Sequence, residues 1–165
     1  MTRIFTVGHS RHSADHFASL LRAHGIERVV DVRSHPTSKW APQFSKAPLS
    51  QLVAARSIEY VFLGRELGGR PEGARFYRDD GTVDYERRAE APDFVAGIER
   101  LIELARERPT AILCAEEDPA GCHRRRLIAP ALQRAGVDVV HIRGDGRLEP
   151  DRGEPAPAPQ LDLFR

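Results

Sequence analysis

The sequence predicts an open α/β sheet of five mostly parallel strands with helices on both faces, and three features carry that prediction. Short apolar, β-branched runs recur five times, at 3–7, 27–32, 58–63, 111–114 and 137–142. Segments with apolar residues at helical spacing separate most of them, so strands and helices alternate along the chain. Runs such as 111–114 are apolar at every position, as strands covered by helices on both sides must be.

The elements follow in order. Residues 3–7 stop at Gly8-His9-Ser10, and Ser13 then offers an N-cap for a helix over 14–24 with Phe17, Leu20 and Leu21 on one face. Gly25 is placed to end it, and the run 26–32 follows as the second strand, which makes a β-α-β unit with a right-handed crossover. Residues 33–47 hold Ser34, Pro36, Ser38, Pro42 and the single tryptophan, Trp40, with no sustained period, and read as a long loop. A short helix over 48–57, with Leu49, Leu52 and Val53 as its stripe, leads to the third strand at 58–63.

Gly64-Arg-Glu-Leu-Gly-Gly-Arg-Pro71 sets three glycines among arginines, a pattern that suits backbone bent around an anion. Residues 72–89 carry Phe76, Tyr77 and Tyr85 without a period and read as an excursion over the site. The clearest amphipathic helix spans 91–108, with Phe94, Val95, Ile98, Leu101, Ile102 and Leu104 facing inward and Glu99, Arg100, Glu103 and Arg106 outward. Strand four leads through an acidic turn into a helix opened by Cys122-His123, and Gly136 closes that helix before strand five.

This alternation is of Rossmann or flavodoxin type, with strand order 3-2-1-4-5 or 2-1-3-4-5 left open. In either order ligands bind at the carboxyl ends of the strands, near strand one. The residues after strands one to four are Gly8-His9-Ser10, Asp31 to Ser34, Gly64 to Arg70, and Cys114 to Arg124. The polar, reactive content of the chain therefore converges on one sheet edge.

Composition narrows the setting. A chain of 165 residues with 41% hydrophobic content fits one globular domain, expected over 1–143. The net charge of +1 neither demands nucleic acid nor excludes local phosphate binding by arginine clusters. No run approaches the roughly 18 apolar residues of a membrane span, and the chain opens on a strand, so a soluble, cytoplasmic protein is expected. Two cysteines with seven residues between them read as free thiols in a reducing compartment.

Thr6-Val-Gly-His-Ser10, Asp31-Val-Arg-Ser-His-Pro36, Leu67-Gly-Gly-Arg70 and Leu113-Cys-Ala-Glu-Glu-Asp-Pro-Ala-Gly-Cys-His-Arg124 occur in that order. Together they resemble the DUF488 family, a bacterial and archaeal group of small α/β proteins. The resemblance covers roughly residues 3–143 and implies the fold and the site, but not a reaction. Lys39 stands where an arginine is more usual, which keeps the charge and loses the planar fork.

Cys122 at a helix N-terminus, followed by Arg124 to Arg126, suits a thiolate nucleophile or, equally, a cap that only packs. Cys114, at the end of a buried strand, reads more as a small core residue. His123 fits a general base or a satisfied helix-terminus residue. Glu116 and Asp31 complete the catalytic candidates, set against the alternative that such carboxylates only pair with arginines. Ligand contacts are expected from His9, Ser10, Arg33, Ser34, Arg70, Asp118 and Arg124, with phosphate of a nucleotide or DNA as the matching anion. The Cys-x7-Cys-His spacing matches none of the common zinc patterns, so no metal is expected, and no cofactor is named.

Residues 144–159 are rich in Gly, Pro, Ala and acids and read as a tether, ending in Gln160-Leu-Asp-Leu-Phe164 within the segment 160–165. A polar tether with an apolar terminal peptide suits docking that orders on binding. The peptide resembles the motif by which bacterial replication and repair proteins bind the DNA polymerase sliding clamp. That resemblance implies contacts through Gln160, Leu161, Leu163 and Phe164. Folding back onto the domain's own surface is the alternative. Three classes of function follow: an enzyme on DNA or nucleotides recruited by the clamp, a non-catalytic phosphate or nucleic-acid binding module, or a thiol-dependent enzyme on a small metabolite.

Overall fold

The computed structural model describes residues 1–153 and has the α/β architecture that the alternation predicts, with one strand more than expected. The strands are β1 (Arg3–Gly8), β2 (Arg28–Asp31), β3 (Glu59–Phe62), β4 (Thr110–Cys114), β5 (Asp138–Ile142) and β6 (Leu148–Pro150). The helices are α1 (Ala14–Ala23), α2 (Lys46–Ala54), α3 (Gly64–Leu67), α4 (Tyr85–Glu90), α5 (Pro92–Glu107) and α6 (Ala129–Arg134). α6 is entered directly from a π-helical turn, Arg124–Ile128.

The strand order is β3-β2-β4-β1-β5-β6, which replaces both expected orders. β4 sits between β1 and β2, parallel to each, with Gly8 opposite Cys114 and Asp31 opposite Leu113. The β1-α1-β2 crossover thus skips one strand position, and the later α5 crossover returns to fill it. A β-α-β sequence pattern fixes handedness but not whether a position is skipped. β6 runs antiparallel to β5, and it falls within the stretch that composition reads as a tether.

Each face of the sheet has its own core. Phe17, Leu20 and Leu21 of α1 and Leu49 and Val53 of α2 pack on Val7, Val29, Ala111 and Leu113. On the other face Phe94, Ile98 and Leu101 of α5 and Ile128 and Leu132 near α6 pack on Ile4, Val30, Ile112 and Val139. Alternate strand residues feed opposite cores, as the two-residue period of a strand requires. Burial of these side chains contributes about 1.5–3 kcal/mol each for the larger ones.

Two loops carry more structure than their composition suggests. The 33–47 loop contains a 3₁₀ turn, Pro42–Phe44, that seats buried Phe44 against Phe17. The 72–89 excursion contains a second such turn, Ala74–Phe76, and then α4, capped by the Asp84 carboxylate accepting from the Arg87 amide. Among the described residues no helix is long and apolar enough to cross a membrane. The Gln160 to Phe164 peptide lies outside the described residues.

Candidate functional site: a buried thiol pair at the sheet edge

Because β4 is central, its carboxyl end brings three loops together. The His9 and Ser10 amides donate to the Cys114 and Ala115 carbonyls at 3.0 and 2.9 Å, and the Val32 amide donates to Leu113 at 3.1 Å. Gly8 is required there: a Cβ on it would lie 1.7 Å from the Glu116 carbonyl oxygen, inside the backbone of the neighbouring loop. Above this edge opens a cleft of about 470 Å³.

Of the residues expected at the site, His9, Arg33, Ser34, Arg70, Glu116, Cys122 and His123 line the cleft, and Cys114 joins them. Ser10, Asp31, Asp118 and Arg124 do not reach its surface. Asp118 instead caps the 3₁₀ turn Pro119–Gly121, accepting from the Ala120 amide at 2.9 Å. Ser10 adopts a left-handed φ of 46° as the chain leaves β1. The glycines at 64–69 serve close packing: a Cβ on Gly69 would stand 2.9 Å from the His123 ring.

The centre of the site is a pair of thiols. Cys114 and Cys122 are free and buried, with their Sγ atoms 3.0 Å apart. His123 Nδ1 lies 3.7 Å from the first and 3.6 Å from the second. Its Nε2 is 3.0 Å from the Val32 carbonyl, which only accepts, so Nε2 carries a proton and Nδ1 is the ring atom that faces both thiols. This arrangement can take a proton from sulfur without a change of ring orientation.

Arg124 makes a hydrogen bond to only one of the two sulfurs. Its Nε donates to Cys122 Sγ at 3.3 Å, and Cys114 receives no such bond. The hydrogen bond from Cys114 is the largest influence holding the Cys122 thiol far below the ordinary cysteine range; burial opposes it, and His123 and Arg124 reinforce it. The same shared hydrogen bond, with burial, pushes Cys114 upward. The shared hydrogen bond therefore favours the proton on Cys114 and the anion on Cys122. Cys122 also precedes the helical run that begins at the π-turn: its carbonyl accepts from the Arg125 and Arg126 amides at 3.1 and 3.2 Å. Such a turn inside a helix is frequent at functional sites.

Arg124 is fully buried and committed, not a free ligand contact. It also donates to Thr6 Oγ1 at 3.2 Å and to the Glu116 carbonyl. Thr6 Oγ1 is 2.6 Å from His141 Nδ1, and His141 Nε2 is 2.9 Å from the Asp151 carboxylate. A carboxylate accepts, so His141 Nε2 donates to Asp151, Arg124 donates to Thr6 Oγ1, and the Thr6 hydroxyl and His141 Nδ1 share the bond between them. This chain runs from the end of β6 across β5 and β1 to Cys122 Sγ. Burial works to raise the Asp151 pKa, yet the bonds from His141, Gly153 and Gln133 leave it lowered.

The second wall is equally committed. Arg33 pairs with Asp31 through Nε at 2.9 Å and a terminal nitrogen at 2.8 Å, and the Tyr60 hydroxyl donates to the same carboxylate at 2.5 Å. Burial and the bond to Asp31 push the Tyr60 pKa upward, so the phenol stays protonated. Asp31 is thereby a positioning residue, held away from the cleft. The remaining Arg33 nitrogen donates to His9 Nε2 at 3.3 Å, His9 Nδ1 donates to the Ser10 carbonyl at 2.8 Å, and the ring stacks on Phe44. Burial, followed by Arg33 and His12 among the groups acting in that direction, keeps the His9 pKa low, so the ring is a neutral wall and not an anion-binding cation.

Thr6 opens the first quoted motif without a role being assigned to it, and Tyr60, His141 and Asp151 fall outside the motifs. Thr6 and His141 do leave a signal, since each is a polar residue flanked by apolar ones in its strand. Asp151 leaves none.

Cys114, Cys122 and His123 offer three ligand atoms within 4.8 Å of one another. Two sulfurs on one tetrahedral zinc, at about 2.3 Å each, stand about 3.8 Å apart. The observed separation is 3.0 Å, so the two sulfurs would have to move apart to ligate one zinc.

The profile of the domain of unknown function DUF488 matches residues 13–131, well over half of the chain and including both cysteines and His123. The chain belongs to the DUF488 family. No curated protein and no solved structure matches it. In this DUF488 protein the family region ends within α6, so β5 and β6, which carry His141 and Asp151, lie beyond it.

Proposed function

We propose that this DUF488 protein is a thiol-dependent enzyme in which Cys122, as thiolate, attacks a small substrate held in the cleft. The observation that carries the reading is Cys122 Sγ receiving the Arg124 Nε hydrogen bond while it lies 3.0 Å from Cys114 Sγ and 3.6 Å from His123 Nδ1. A packing cysteine has no use for a buried guanidinium, which costs several kcal/mol to desolvate unless it is paired. His123 supplies the proton acceptor, and Ser34, Arg70 and the Glu116 side chain stand at the rim to orient the substrate.

Alkylation by iodoacetamide tests it. Cys122 in the folded chain at pH 6.5 reacts faster than an unfolded cysteine, and Cys122→Ser removes the fast phase. A native rate no greater than that of the urea-unfolded chain would refute the reading.

The tail favours a second reading on DNA or nucleotides. The sequence Gln160-Leu-Asp-Leu-Phe164, after a Pro/Ala tether, supports recruitment to the polymerase sliding clamp, with the exposed Arg70 at the cleft mouth as a phosphate contact. Its test is binding of the peptide Gln160 to Arg165 to purified clamp. No affinity at high micromolar peptide rejects the recruitment.

A further inference from the structure

A nucleophilic thiolate needs a base and a positive neighbour. It does not need a second thiol in contact with it, and that excess is what the site displays. We propose that Cys114 is the resolving thiol of a Cys114/Cys122 dithiol, and that the substrate is a small disulfide carrying carboxylates. This rests on the thiolate reading of Cys122 and extends it to a reaction class.

Four features support it. Both cysteines line the same cleft, so a substrate reaching one reaches the other. Their sulfurs are 3.0 Å apart, and a disulfide of about 2.05 Å needs a closure of only about 1 Å. His123 Nδ1 is nearly equidistant from the two, at 3.6 and 3.7 Å, so one base serves both thiols in turn. A cleft of about 470 Å³ is far larger than a peroxide needs, and the exposed Arg70 and His35 at its mouth suit carboxylates.

The chemistry balances without a further reagent. The Cys122 thiolate attacks one sulfur of the substrate RS–SR; a Cys122–SR bond forms, the S–S bond of the substrate breaks, and RS⁻ leaves with the electron pair. Cys114 then passes its proton to His123 Nδ1 and attacks the Cys122 sulfur, expelling the second RS⁻. The imidazolium returns the proton to that leaving group. The dithiol has lost two electrons and the substrate disulfide has gained them.

Oxidised glutathione is the probe, added to the full chain after reduction and removal of reductant, with intact mass and released thiol as readouts. The wild type is expected to lose two hydrogens and release two equivalents of glutathione per chain. Cys114→Ser, and Cys114→Ala as a check against a poorly tolerated buried hydroxyl, stop at a stable glutathione adduct on Cys122 and release one. A wild-type chain that stalls at the same adduct overturns the resolving role. A chain that takes up no glutathione while iodoacetamide still alkylates Cys122 rapidly overturns the disulfide substrate and leaves the thiolate reading standing. If neither reagent reacts, both fall.

Discussion

Arg124 Nε and Cys122 Sγ stand 3.3 Å apart with one residue between them in sequence, at the point where the chain enters its helix through a π-turn. The guanidinium is turned back toward the sheet edge, where the Thr6 hydroxyl and the Glu116 carbonyl fix its other nitrogens. A lysine in its place carries its three donors on one nitrogen and cannot span these contacts together. Arg124→Lys is expected to raise the Cys122 pKa, so the alkylation profile moves to higher pH. A rise of one pKa unit makes the reaction about tenfold slower at any pH below both values. An unchanged profile would mean that Arg124 does not hold the thiolate.

The chain from Arg124 through Thr6 and His141 to Asp151 gives a second expectation. Thr6→Val keeps the shape but leaves an Arg124 N–H and His141 Nδ1 without partners in the core, at a cost of about 1–3 kcal/mol for each such group. Thr6→Ser restores the hydroxyl and should recover most of the loss. Urea denaturation of the three proteins measures both, and the pH profile of Cys122 alkylation shows whether the defect reaches the thiolate.

Asp31 is the third. It is fully buried and neutralises Arg33, which is itself 5% exposed. Asp31→Asn leaves a buried guanidinium without its charge partner, and loss of one member of a buried pair costs about 3–5 kcal/mol. The variant should melt earlier while Cys122 in the surviving folded fraction keeps its reactivity, since Asp31 does not line the cleft. A stable Asn variant with slow alkylation would reverse that assignment.

Much of this was legible in the sequence. Alternating strands and helices gave the fold class, and the motifs after strands one, two and four pointed to one edge. His9, Arg33, Cys122 and His123 do meet there. What was hidden is relational. No pattern in residues 110–114 says that β4 inserts between β1 and β2, and that insertion is what brings Gly8 against Glu116. Likewise an arginine beside a reactive cysteine reads as a ligand contact until its partners are visible. Every guanidinium nitrogen of Arg33 and of Arg124 has a partner within the protein. β6 was invisible because three exposed residues, Leu148 to Pro150, have no apolar period and acquire strand geometry only from β5.

Glu117 connects the site loop to the last hairpin and sets an acid limit on it. Its carboxylate accepts from two Arg143 nitrogens at 2.9 and 3.1 Å and from the Gly144 amide at 2.9 Å. The side-chain bonds to Arg143, then the Gly144 amide, lower its pKa from 4.5 to about 2. A carboxyl held below its unfolded value contributes stability that is fully present above the unfolded pKa and is lost as pH falls through the folded one. The contribution should therefore be intact at pH 6, decline below about 4.5, and be gone near 2. Glu117→Gln removes the titrating group, so the difference in unfolding free energy between wild type and variant should shrink over that window. A difference that stays constant from pH 6 to about 2.5 would show that the bonds to Arg143 and Gly144 do not depend on the charge of Glu117.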